Sequence, residues 1–152
     1  MDAERLLRHV GDVAGMPGLF FEAAETERKL PGVMHKKYRV AWPEYVPDPG
    51  LAYGYNDAEV PPGPADAGEV WRYDQTLELV QVLDADDARI VWMAAHSSVR
   101  RQRGPAWRKV AKIVGMHPAT VKRRFERSML QLWYELKRSE SATGAFEEKK
   151  GG

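Results

Sequence analysis

The sequence predicts an all-α fold, a helical body carrying one irregular segment rich in proline and aromatic residues. Three observations lead there. Val121, Phe125, Met129, Leu132 and Leu136 recur at steps of three and four, the spacing of one face of a helix. Gly115 divides two stretches of this kind and suits the left-handed residue that ends a helix. Pro31, Pro43, Pro47, Pro49, Pro61, Pro62 and Pro64 crowd residues 31–69, each removing a backbone donor, so regular structure is interrupted there.

Taken in order, residues 2–14 predict a short helix with Leu6, Leu7, Val10 and Val13 on one side, broken by Gly15, Met16, Pro17 and Gly18. Residues 19–30 predict a second helix through Leu19, Phe20, Ala23, Ala24 and Leu30, stopped by Pro31–Gly32. Residues 31–69 carry Tyr38, Trp42, Tyr45, Leu51, Tyr53 and Tyr55, too many apolar groups to leave in water. An extended segment laid across the helical body is expected, with 61–68 its most flexible part.

Residues 69–83 predict a helix through Trp71, Leu77, Val80 and Leu83. Asp84 suits the cap of the next one, with Asp86 and Asp87 as favourable charge in its first turn. Ile90, Val91, Trp92, Met93 and Ala94 would be its buried body, fraying near His96–Ser98. Pro105 suits the first position of a helix running to about Val114. Pro118 opens the last helix, expected to run to about Lys137 or Arg138. The division is then residues 1–68 (N-terminal helices plus the irregular segment), 69–138 (a helical domain holding the motif 105–138) and 139–152 (a disordered tail).

The net charge of +1 hides an asymmetry. Residues 1–95 hold 9 Lys and Arg against 17 Asp and Glu, a net of −8; residues 96–140 hold 12 against 3, a net of +9. A basic block beside an acidic one points to a polyanion partner, or to halves that neutralise each other. The chain has no cysteine, so neither a disulfide framework nor a thiolate metal site is expected. His9, His35, His96 and His117 lack metal-ligand spacing, and no phosphate loop or nucleophile motif occurs. No enzyme activity and no cofactor is expected. No apolar run is long enough for a membrane span, and the cytoplasm, on the nucleoid of a bacterial host, is the expected location. The Trp residues are expected to fasten the core rather than to stack on bases.

Val110, Ala111 and Val114 face one way before the Gly115 turn, and the Val121–Leu136 stripe faces them after it. The first helix would hold the second by its inner face and leave the outer face free, the logic of a helix-turn-helix. That outer face carries Ala119, Lys122, Arg123 and Arg127, flanked by Thr120 and Arg124. Ala119, Lys122 and Arg123 are the candidates for base edges, and His117 stands at the turn beside them. Arg100, Arg101, Arg103, Arg108, Lys109, Arg124 and Arg127 are expected mainly on phosphates.

The run WRKVAKIVGMHPATVKRRFERSMLQL resembles the C-terminal helix-turn-helix of bacterial sigma factors, region four, and of LuxR-type regulators. The matching positions are Trp107, Val110–Ala111, Val114–Gly115–Met116, Thr120–Val121–Lys122, Arg124 and Arg127, and residues 84–98 resemble the helix that precedes the motif. His117 departs from the pattern: it stands where Ser or Thr usually caps the second helix, and a weaker cap there points to another partner for the helix start. The runs LPGVMHKKYRVAWPEY and YGYNDAEVPPGP resemble an uncharacterised family of small phage and prophage proteins with a C-terminal helix-turn-helix.

These resemblances imply a sequence-specific DNA-binding transcription regulator, phage- or prophage-encoded, acting on double-stranded DNA. RNA polymerase is a further expected partner, and a homodimer is open, since Leu132, Trp133 and Leu136 could reach a two-fold mate or pack near Trp71. Two alternatives stand beside it: a small terminase subunit for DNA packaging, and a module that docks on RNA polymerase or another protein.

Overall fold

In the computed structural model, which describes residues 1–30, 63–99, 101 and 103–151, helices pack on helices. Among the described residues there are six α-helices, one 3₁₀ turn and no strand. The helices are α1 (Ala3–Val10), α2 (Met16–Lys29), α3 (Ala67–Val80), α4 (Ala85–Ser98), α5 (Trp107–Val114) and α6 (Pro118–Lys150). The fold class is the expected one. Residues 31–62, including the aromatic segment, lie outside the described residues, as does Arg100.

Local chemistry sets the boundaries. The Asp2 side chain accepts from the Arg5 N–H at 3.1 Å and starts α1. The helix ends at Val10 instead of running to 14, because Gly11 turns the chain at a φ of 82°. Asp12 then caps the 3₁₀ turn Val13–Gly15 by accepting from the Gly15 N–H at 3.0 Å. The Gly15–Gly18 string, expected to break structure, instead begins α2. Pro17 falls in the first turn, where a missing N–H leaves no hydrogen bond unmade. A Cβ on Gly15 would stand 2.2 Å from the Val10 carbonyl oxygen, so only glycine fits this close approach.

Helix α3 starts two residues before the expected position. Asp66 and Glu69 form a reciprocal capping box, with the Glu69 N–H donating to Asp66 Oδ1 at 2.8 Å and the Asp66 N–H to Glu69 Oε2 at 3.1 Å. It ends at Val80, and a turn over Gln81–Leu83 leads to Asp84. As expected, Asp84 caps α4, accepting from the Asp87 N–H at 2.8 Å. That bond, foremost among several, holds the Asp84 carboxyl below its ordinary pKa. Residues His96–Ser98 do not fray. They are buried, with Ser97 and Ser98 each donating a hydroxyl to a carbonyl three residues back.

Helix α5 begins at Trp107, not at Pro105. Its start is fixed by the Ala106 N–H, which donates to Ser97 Oγ at 2.9 Å. Helix α6 continues to Lys150, past the expected end at 137 or 138. No proline stops it, and pairs one turn apart support the continuation: Lys137 with Glu140, Arg138 with Glu135, and the Ser141 and Thr143 hydroxyls on carbonyls four back.

The core runs through all six helices. Helix α2 packs on α3 and α4, while α6 packs on α1, α4 and α5. Every member of the expected stripe is buried: Val121, Phe125, Met129, Leu132 and Leu136. Leu132 and Leu136 therefore complete this chain's own core and are not held out for a two-fold mate. Phe125 stacks on Phe21 of α2, with ring centroids 6.3 Å apart, and meets Trp107 of α5 edge-on at 5.2 Å. Trp92 packs edge-on against Phe20 at 5.6 Å. Trp71 lies under the Arg5 guanidinium instead, 4.0 Å from its ring centroid.

Gly115 takes a φ of 73° and a ψ of 33°, the left-handed conformation expected, and its N–H closes α5 on Ala111 O. Nothing lies within 4 Å of a Cβ built there. The cost of Gly115→Ala is therefore conformational alone, about 1–2 kcal/mol. Urea unfolding should show this loss, with Gly115→Asn milder; an alanine variant as stable as the parent would contradict the account.

Candidate nucleic-acid interface

Helices α5 and α6 meet through the short turn Gly115–His117, and their N-termini border one concavity of about 520 Å³. Its walls are Pro105, Ala106, Trp107 and Pro118. Its charge comes from three places: Arg101 before α5, Arg108 and Lys109 in the first turn of α5, and Lys122 in the first turns of α6. Ala119 lines it too, leaving room for close approach. Five residues of the sequence-derived set thus converge on one feature.

The start of α5 has no side-chain cap, because its N-cap is Ala106. Its first N–H groups, at the positive end of the helix dipole, have no intrahelical partner. The start of α6 is different. His117 Nδ1 accepts from the Ala119 N–H at 3.2 Å, so the neutral ring with its proton on Nε2 is the capping form. The expectation that another group would replace His117 as the cap is corrected: the imidazole reaches N2 just as a short hydroxyl would.

The remaining sequence-derived residues fall into two groups. Arg103, His117 and Arg123 are exposed but do not line the concavity, and Thr120 is half-buried with its N–H on His117 O. Arg123 Nε donates to the Ala119 carbonyl at 3.4 Å, which lays the side chain back along its own helix. Arg124 and Arg127 behave otherwise. The sequence reading puts Arg124 among phosphate-facing cations, but the structure turns it inward, where Nε and Nη2 reach Asp87 Oδ1 at 2.9 and 2.8 Å. Arg127 Nη2 lies 3.6 Å from Asp87 Oδ2, with a side chain still 67% exposed.

Asp87 is the residue that sequence reasoning missed. Reading it only as helix-start charge overlooks its phase: it precedes Ile90, Val91 and Ala94 by three, four and seven positions, so it points at the core and is only 4% exposed. Arg124 is in phase with buried Val121 and Ser128. An acid and a base that are each in the buried phase of packed helices are the readable signal of a pair.

The electrostatic contrast is sharp. Toward the C-terminal part of α6, Arg138 is held by Glu135 and Lys137 by Glu140. Among the described residues no carboxylate lies within 4.0 Å of Arg101, Arg103, Arg108, Lys109, Lys112, Lys122 or Arg123. Four of these seven cations, Arg101, Arg108, Lys109 and Lys122, line the concavity.

A family model described as a domain of unknown function, DUF6362, matches residues 28–132, more than half of the chain. The chain belongs to the DUF6362 family. The family region contains the concavity, the Asp87 pair and the buried stripe as far as Leu132, while α1 and the distal part of α6 lie outside it. No curated protein and no solved structure matches the chain. Among the described residues no helix is long and apolar enough to cross a membrane, and no group of three His, Asp or Glu side chains is placed to hold a metal.

Proposed function

We propose that this DUF6362 protein binds double-stranded DNA as a sequence-specific transcription regulator of phage or prophage origin. The carrying observation is the unpaired cationic cluster that surrounds two consecutive helix N-termini. The uncapped start of α5 supplies oriented N–H groups, both starts supply positive dipole ends, and the cluster supplies full charges; a phosphate backbone answers all three. Carboxylate pairing of Arg124, Arg127, Lys137 and Arg138 elsewhere on α6 argues that the cluster's charge is not merely balance for the acidic half.

In this reading the first turns of α6 lie in the major groove. Ala119, Lys122 and Arg123 are exposed there and stand nearest base edges. Arg101, Arg103, Arg108 and Lys109 hold the flanking backbone. The sigma-like resemblance of residues 84–136 supports the same docking, and RNA polymerase is the proposed second partner.

The test is selection from random DNA at stated salt, followed by titration of variants on the enriched site. Lys122→Ala and Arg123→Ala should each weaken that site by about 1–3 kcal/mol, roughly 5- to 150-fold, and relax preference at one base position. Both variants binding like the parent would refute base reading by α6. A parent that enriches no sequence, and binds acidic protein without steep salt dependence, would favour the protein-docking alternative.

A further inference from the structure

We infer that Asp87 is a specificity-determining positioning residue: it withholds Arg124 and Arg127 from DNA phosphates and confines the cationic surface of α6 to its reading end. The inference rests on the DNA-binding reading above, and it assigns a role to a carboxylate that touches no DNA.

The geometry carries it. Asp87 sits in the first turn of α4, 4% exposed, and faces the first third of α6. Each Arg124 nitrogen has a partner in the body: Nε and Nη2 are on Asp87 Oδ1, and Nη1 donates to Met116 Sδ at 3.5 Å. The second carboxylate oxygen draws Arg127, at 3.6 Å, toward the body. One buried acid thus engages two of the four cations along residues 122–127. The other two, Lys122 and Arg123, have no carboxylate partner among the described residues.

This division bears on discrimination. Non-specific affinity grows with each phosphate a protein neutralises, adding about 0.9 to the slope of log K against log salt. It is blind to sequence, so cations freed beyond the reading end raise affinity for every site and dilute the preference for one. Arg127 is the exchangeable member, since it is largely exposed and its contact is long.

The experiment measures binding of the full chain to the enriched site and to random duplex across a salt series. Asp87→Asn keeps the shape and removes the charge. It should steepen the slope on random DNA by about 0.9–1.8, raise that affinity roughly tenfold near 0.1 M salt, and reduce the specific-to-random ratio. Adding Arg127→Gln should return most of the gain. A purely structural Asp87 would instead weaken both ligands with the slope unchanged, and that result overturns the inference while leaving the DNA reading intact. If Asp87→Asn does not fold, Arg127→Gln alone decides: its slope should match the parent, and a loss of about 0.9 would place Arg127 on phosphate and overturn the inference. A parent without salt-dependent DNA binding sinks both.

Discussion

Phe125→Ala is expected to destabilise the protein by about 3–5 kcal/mol, the range for deleting a buried aromatic side chain. The expectation comes from position as much as size. Phe125 is 3% exposed, stacks on Phe21 and meets Trp107 edge-on, so one ring joins α2, α5 and α6. Its removal leaves a void between three helices that cannot all close on it. For a chain of this length the loss corresponds to a fall in Tm of about 6–20 °C. Thermal unfolding followed by circular dichroism reads it directly. A loss under about 1 kcal/mol would show that the junction of α5 and α6 with the body does not depend on this ring. Because Trp107 also walls the concavity, DNA affinity should fall in any surviving folded fraction.

The second large effect is on binding. Arg101, Arg108, Lys109 and Lys122 are exposed, line one concavity and lack carboxylate partners among the described residues. Replacing all four with alanine should leave the thermal transition nearly unchanged. It should lower the salt slope of DNA binding by about 3.6 if each meets one phosphate, which near 0.1 M salt is a loss of roughly a thousandfold or more. Lys137 and Arg138 provide the control. They belong to the same helix but are paired with Glu140 and Glu135, and neutralising both should leave the slope where it was. A fall of less than about 1 in the fourfold variant, or an equal fall in the control, would mean that the concavity does not set DNA binding.

The sequence made some of this legible and hid the rest, for identifiable reasons. The α6 stripe could be read because helical phase alone separates Val121, Phe125, Met129, Leu132 and Leu136 from their charged neighbours, and all five are buried. Gly115 and Asp84 were equally plain, since a left-handed turn and a helix cap each demand a particular chemistry. Pro17 was not. A proline among glycines marks a helix's first turn as readily as its end, and the choice rests on the close approach of Gly15 to Val10. The end of α6 was obscure because Gly144 weakens a helix by only about 1 kcal/mol and no proline stops it. In the candidate site, charge and spacing identified Arg101, Arg108, Lys109, Ala119 and Lys122, which the concavity gathers. They could not reveal Arg124, because counting cations treats an arginine bound to a buried carboxylate like one facing water. Phase would have separated them.

Helix α6 has one further consequence. Its 33 residues make a rod about 50 Å long. The rod is gripped along its first half, where Val121, Phe125, Met129, Leu132 and Leu136 are buried, and its distal arm emerges from that grip. No proline interrupts it after Pro118. It is a cantilever rooted in the core. A load applied at the distal arm, beyond Leu136, is delivered directly to the core that α6 shares with α1, α4 and α5, without any intervening loop to absorb it.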